Sequence, residues 1–298
     1  MATVNAVTLD HVLSQVAIRY RNRAMLAPQI APIISVKRDR GKYPVFGLET
    51  FEAIEALRAP GAEPTQINWT VSWQDYITQS YALSDVMPDE IRDNAETELN
   101  IESAYVQGIT NALDVSWEKR IAAKIYDTSI WANADAAAKW TNAAADPLTQ
   151  IEDVLDASDL ADFNTIIMGK GAWKNFRRHP NVLAALASTE RKRIDLATAK
   201  DLTGIENWLI GGAWLNSAPR GKTAVLQRIW GDDKVWIGRI APTPGPNELS
   251  ALYTIRDKQF EVYREYNGLR KATTFAQYYS QTEHVCCSKA GYLLTAVA

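Results

Sequence analysis

Residues 86–127, VMPDEIRDNAETELNIESAYVQGITNALDVSWEKRIAAKIYD, decide how the rest of the chain is read. Ile101, Tyr105, Ile109, Leu113, Trp117, Ile121 and Ile125 recur every fourth residue, which puts them on one face of an α-helix. Pro88-Asp89-Glu90 marks its start, because proline is tolerated in a first helical turn. Acids come early (Glu96, Glu98, Glu102) and bases late (Lys119, Arg120, Lys124), the order that suits the helix dipole. The stretch predicts a helical run from Pro88 to about Ile130. Some thirty helical residues span ~45 Å, longer than an ordinary globular helix. Such a helix needs apolar partners from elsewhere in the chain.

Upstream, Ile67, Trp69, Val71, Trp73, Ile77 and Tyr81 alternate with Asn68, Thr70, Ser72, Gln74, Thr78 and Ser80, the two-residue period of a strand. An earlier strand is expected over Ser35–Leu48, interrupted by Gly41 and Pro44. Between the two lies ETFEAIEALRAPGAEPTQ (49–66), acidic and turn-rich, so the pair forms a long hairpin. Two strands alone are marginal in water, and the hairpin's apolar face, with Trp69 and Trp73 on it, requires a surface elsewhere. At the N-terminus, Thr8–Met25 reads as an amphipathic helix with Leu9, Val12, Leu13, Val16, Ala17 and Tyr20 on one face, broken by Pro28 and Pro32. It too has no core of its own nearby.

Downstream, Asp146-Pro147 opens another helix, and from Phe163 the texture becomes strands alternating with short helices. FNTIIMG is a strand, GAWKNFRRHPNVLAALAS a helix broken near Pro180, and LATAKDLTG a shorter helix. ENWLIGGAWLN, TAVLQRIWG and KVWIGRIA are strands. Trp173, Trp208, Trp214, Trp230 and Trp236 fall here and mark a compact core. Leu252–Val262, Lys271–Cys287 and the terminal AGYLLTAVA are strand-like. The fold class is α+β, with no internal repeat.

The 298 residues, 47% hydrophobic and 22% charged, are enough for substantial cores. No run approaches the ~18 apolar residues of a membrane helix, and the N-terminus lacks the pattern of an export signal. Cys286 and Cys287 are adjacent, poorly placed to bridge each other and too few for structural zinc, so synthesis in a reducing cytoplasm is expected. The net charge of −3 argues against a dedicated nucleic-acid binder. Its distribution is uneven. Residues 1–45 carry seven Lys/Arg (Arg19, Arg21, Arg23, Lys37, Arg38, Arg40, Lys42) against Asp10 and Asp39; residues 46–100 carry eleven Asp/Glu against Arg58 and Arg92. These blocks can pair within a subunit or between neighbours, or simply be solvated.

No catalytic motif survives inspection. Asn216-Ser-Ala-Pro-Arg-Gly221-Lys222-Thr223 approaches a phosphate-binding loop with Asn in place of the first glycine. Such a loop needs a helix after its Lys-Thr, whereas AVLQRIWG reads as a strand, so a hairpin turn is expected. His11, His179 and His284 are scattered, and His179, just before Pro180, suits capping or packing. Asp153, Asp156, Asp159 and Asp162 recur every three residues and form a drifting solvated stripe rather than a calcium loop. Arg191/Lys192/Arg193 is basic but lacks interleaved stacking aromatics. No metal or cofactor is expected.

The order just read resembles that of tailed-bacteriophage major capsid proteins with the Hong Kong 97-type fold. AIRYRNRAMLAPQIAPIISVKRDRGKYPVFGLETF (17–51) looks like the N-terminal arm leading into the extended hairpin, or E-loop, and residues 86–127 resemble the spine helix and its approach. IIMGKGAWKNFRRHPNVL (166–183) and LTGIENWLIGGAWLNSA (202–218) are similar to the axial domain, and VCCSKAGYLLTAVA (285–298) to the closing strands. The resemblance implies a division into an arm (1–45), an extended hairpin (46–88), a peripheral domain with the spine helix (89–162), an axial domain (163–262) and return strands (263–298). It implies pentamers and hexamers in a closed icosahedral shell around double-stranded DNA, contacted without sequence preference. It further implies portal and scaffolding partners, with room for a decoration protein, assembly in the bacterial host cytoplasm, and a place in the virion. Arm and hairpin then lie across adjacent subunits, making Arg19, Arg21, Arg23, Trp69 and Trp73 the candidate intersubunit contacts. The hairpin lysine that some members crosslink to a neighbour's asparagine has no counterpart in residues 49–66. A cellular encapsulin-like compartment protein shares this fold and is the alternative; a nucleotide enzyme centred on Gly221-Lys222-Thr223 is a remoter one.

Overall fold

The computed structural model describes residues 25–46, 71–93, 101–158, 162–186, 194–219, 221–245 and 248–298, with Leu57 and Glu63. Two sheets and a long helix organise them. The five-stranded sheet runs β5 (Ala132–Asp135), β13 (Gly291–Thr295), β10 (Val235–Gly238), β6 (Thr165–Gly169), β7 (Asn207–Gly211). The four-stranded sheet runs β1 (Ile33–Ser35), β11 (Leu252–Asn267), β12 (Ala272–Val285), β4 (Gln79–Pro88). Two ribbons stand apart: β2 (Arg40–Phe46) with β3 (Val71–Ile77), and β8 (Trp214–Asn216) with β9 (Leu226–Arg228). The helices are α1 (Ala27–Ile30), α2 (Asp89–Asp93), α3 (Ile101–Ile125), α4 (Pro147–Asp156), α5 (Lys170–Phe176), α6 (Pro180–Ala184) and α7 (Leu196–Thr203).

Helix α3 has 25 residues, about 38 Å. The four-residue stripe reads correctly: Ile109, Leu113, Trp117, Ile121 and Ile125 are buried. The expected end near Ile130 is too late. Asp127 turns the chain by accepting the backbone N–H of Ser129, and the Trp131 indole N–H donates to the Lys124 carbonyl, using an acceptor of the helix's last turn. The helix lies across two apolar clusters. Its N-terminal half, with Ile109 and Leu113, packs on Met87, Phe275 and Tyr279 of the four-stranded sheet; its C-terminal half packs with Trp131, Trp230, Trp236 and Leu293.

The five-stranded sheet carries the main core. Strands β6 and β10 are buried along their whole length, as strands covered on both faces must be. Trp236 is 0% exposed, and Gly238 and Gly291 make room for it: a Cβ on either would stand 2.5–2.6 Å from its ring. Trp173, Trp208 and Trp230 are buried as expected, but Trp214 is 38% exposed on the β8–β9 ribbon, so it is not a core residue. ENWLIGGAWLN accordingly forms two strands, β7 ending at Gly211 and β8 beginning at Trp214, with the Trp230 side chain packed where a Cβ on Gly211 would stand.

Two local expectations need correction, at Gly41/Pro44 and at Thr78. Pro28 sits in the first turn of the short helix α1, where no intrahelical N–H is lost. Gly41 and Pro44 do not interrupt β2, since a two-stranded ribbon has free edges where a residue without an N–H is tolerated. The strand read over 67–81 divides at Thr78: β3 pairs with β2, and β4 pairs with β12. There the Thr78 N–H and hydroxyl both donate to the Asp39 carbonyl, tying the ribbon's two legs together. The expected helix over Thr8–Met25 lies outside the described residues, apart from Met25.

His179 caps α6 as read: its Nδ1 accepts the Asn181 N–H, which leaves the Nε2–H to donate to the Asn142 carbonyl. Asp146 caps α4 through the Leu148 and Thr149 N–H groups. The Gly221-Lys222-Thr223 segment is the turn between β8 and β9, with Gly221 at φ +84°, and a strand rather than a helix follows.

Candidate assembly surface

The β2–β3 ribbon projects one face that leaves its large apolar side chains exposed. Antiparallel register puts Trp73 beside Pro44, Asp75 beside Lys42 and Ile77 beside Arg40 on that face. Trp73 is 60% exposed and Ile77 58%, large apolar side chains on a structure too thin to bury them. Lys42 and Asp75 pair at 3.4 Å, so at least one contact between the basic and acidic blocks lies within a subunit. Both partners are largely exposed, and such a pair adds little to stability.

On the opposite face, Tyr43 reaches back to the body. Its hydroxyl donates to Gln74 Oε1 at 2.5 Å and is hydrogen-bonded to His284 Nε2 on β12, and the two rings meet edge to face. With the phenol proton given to Gln74, the imidazole donates from Nε2. Burial, with Lys124 nearby, holds the His284 pKa below the ordinary histidine value, and burial beside Cys286 pushes Tyr43 to about 12. The ribbon is therefore seated on a neutral histidine.

A second exposed face belongs to the outer half of the four-stranded sheet. Val86, Tyr263 and Tyr278 lie on the side away from α3, with Glu261 and Glu265 beside them. Tyr263 stacks edge to face on Tyr278 and donates its hydroxyl to Glu261 at 2.6 Å. The inner side of the same sheet is fixed by buried polar groups. Arg120 of α3 donates to Glu283 and Tyr279 and lies 3.8 Å over the Tyr81 ring. Arg256 donates twice to Gln281 Oε1. Strand alternation places Gln281 and Glu283 toward the helix, but nothing in their residue type announces burial.

At the inner end of α3 stands a residue the helical stripe did not single out. Glu118 is 0% exposed; its carboxylate accepts the N–H groups of Leu26 (3.0 Å) and Ala27 (2.7 Å) and the indole N–H of Trp230 (2.6 Å). Burial pushes its pKa up against the pull of these donors, and Asp114 one turn back pushes the same way. The signal was present: Glu118 shares a helical face with Ala122 and Ile125.

Of the candidate contacts, Trp73 lies on the β2–β3 ribbon with most of its side chain exposed. Trp69, Arg19, Arg21 and Arg23 lie outside the described residues, as do Asp159 of the acidic stripe and Arg191, Lys192 and Arg193. No helix among the described residues is long and apolar enough to cross a membrane.

No family model matches the chain. Two curated proteins are similar in sequence. The major capsid protein of Pseudomonas phage JBD67 is 26% identical over 239 residues, covering 78% of this chain and 77% of its own. The major capsid protein of Burkholderia phage BcepMu is 26% identical over 264 residues, 84% of each. Among solved structures, a phage-related protein from Bordetella bronchiseptica RB50 superposes with TM-score 0.73 at 22% identity over 97% of each chain. The capsid of Myoviridae phage XM1 gives 0.60 at 11% identity over 99% of each. A virus-like particle from Pyrococcus furiosus gives 0.55 at 10%, covering 91% of this chain and 92% of that one.

Proposed function

We infer that this chain, which has the Hong Kong 97-type capsid fold, is the major capsid protein of a tailed bacteriophage. Its work is self-assembly, and the observation that carries the reading is the unfinished β2–β3 ribbon. Trp73 and Ile77 are left in water on the ribbon, while the five-stranded sheet buries most of its large apolar side chains. Patches of this kind mark surfaces completed by another chain. In a closed shell every copy offers the same ribbon and the same receiving face, so the contact repeats by symmetry.

The finer picture is part of the proposal. Pentamers and hexamers close an icosahedral shell over double-stranded DNA, held without sequence preference, with portal and scaffolding proteins as further partners. Assembly takes place in the host cytoplasm, and the role is mechanical, with no catalytic step. The arm (1–45), hairpin (46–88), peripheral (89–162), axial (163–262) and return (263–298) segments are proposed as the working units. Arg19, Arg21, Arg23, Trp69 and Trp73 are the proposed intersubunit contacts. An encapsulin-like compartment is the weaker reading, since both curated relatives are phage capsid proteins.

Electron microscopy of the purified protein, with and without a cognate scaffold, tests this. Closed shells or rings of five and six subunits are expected. A protein that stays monomeric at high concentration in both conditions defeats the reading, and shells that retain protein cargo instead of DNA from the host favour the compartment.

A further inference from the structure

Glu118 is a costly residue in its place. A carboxylate removed from water loses its hydration, and an apolar side chain of similar volume is often as good or better for stability. What an apolar side chain cannot do is hold two backbone N–H groups of another segment. Leu26 and Ala27 stand at the N-terminal end of α1, where helix geometry provides no carbonyl for those N–H groups. Leu26 itself supplies no capping side chain. Glu118 supplies the acceptor from a residue more than ninety positions away, while the Trp230 indole N–H fixes the carboxylate from the third side. Every partner is a donor, and an ionised carboxylate is the side chain that satisfies three donors at once. Leu26, Ala27, Ile30 and Ala31 are then packed against Trp117 and Ile121.

From this geometry we propose that Glu118 is the anchor of the N-terminal arm: it fixes where the chain at Leu26 and Ala27 joins the body, and so sets the point from which the arm can reach a neighbouring subunit. The role rests on the shell-assembly reading above. Glu118 is a positioning residue, acting through the backbone of Leu26 and Ala27. The fold is expected to survive its loss, whereas the arm's exit is not.

Hydrogen exchange separates the two. In the unmodified subunit the Leu26 and Ala27 amides should exchange as slowly as those inside α3, although they lie at a helix start. Rapid exchange there, like that of any solvated first turn, overturns the anchor without any variant being made. In Glu118→Met these two amides should exchange about ten- to a hundredfold faster, the ratio expected when a hydrogen bond to a charged acceptor is lost. The amides of β6 and β10 should hold their protection, and the yield of closed shells should collapse. Glu118→Gln, of the same shape but with an amide N–H₂ facing donors, should fall between. Unchanged exchange at Leu26 and Ala27, or faster exchange with shell yield intact, overturns the proposal. If Glu118→Met does not fold, Trp230→Phe removes one donor and should loosen the same two amides; no change there is equally fatal. Should the unmodified protein form no shells, the assembly reading fails, while the exchange at Leu26 and Ala27 still reports on the anchor.

Discussion

Trp236 and Trp73 are the same side chain in two opposite situations. Trp236, on β10, is closed in by strands on both sides, by the T-shaped Trp131 ring at 5.5 Å and by the two glycines that make room for it. Trp73, on β3, has one neighbouring strand, and 60% of it meets solvent. The body of the molecule completes itself. Among the described residues the ribbon is left incomplete, and in the proposed shell a neighbouring subunit completes it. In the proposed shell, subunit stability and assembly stability reside in different places, and substitutions should separate them.

The largest effect on the subunit is expected from Trp236→Ala. Truncating a buried tryptophan costs about 3–5 kcal/mol, enough to lower the melting temperature sharply or prevent folding. Calorimetry of the isolated subunit checks it, and a small shift would mean that the five-stranded sheet is not the core. Next comes Glu283→Gln, which weakens the Arg120 pair at the interface of α3 with the four-stranded sheet. A loss of about 1.5–3 kcal/mol is expected from denaturant unfolding, because the hydrogen bond is charged and Glu283 is buried. Removing the α4 cap with Asp146→Ala should cost about 1 kcal/mol by the same measurement.

A smaller effect is expected where the ribbon meets the body. Because His284 titrates below its ordinary value when the ribbon is seated, the released or unfolded state takes up a proton first. The seat's contribution is therefore fully present above the ordinary histidine range, ~6.5, and fades as pH falls through and below it. The protection of the β2 amides, taken relative to the intrinsic exchange rate at each pH, should fall on mild acidification in the native protein and lose that pH dependence in His284→Gln. An unchanged profile would show that the ribbon is held by its backbone alone. Smallest of all for the subunit is Trp73→Ala, expected within about 0.5 kcal/mol of the native protein because little burial is lost. Its shells should nevertheless form poorly, as judged by microscopy and sedimentation. A variant that unfolds the subunit, or one that assembles normally, breaks the comparison between ribbon and body.

Much of this was legible in the residues. The α3 stripe, the caps at Asp146 and His179, the buried runs TIIMG and VWIG and the hairpin turn at Gly221 follow from local period, turn chemistry and capping, which act over a few residues. The order of these elements was enough to suggest the capsid fold. What the sequence could not settle were matters of partner choice. Residues 67–81 show one alternating pattern, yet at Thr78 the strand exchanges β2 for β12, because pairing depends on which edge is within reach and alternation is the same for either. Trp208 and Trp214 read alike, but only one meets the core, since burial is set by where the chain leaves the five-stranded sheet after Gly211. Glu118 carries the point furthest. Its place on the helical face of Ala122 and Ile125 is a matter of period, but only the packing of α1 and Trp230 around α3 supplies the three donors that make burying it possible. Periodicity is a property of neighbours along the chain; the satisfaction of a buried charge is a property of neighbours in space.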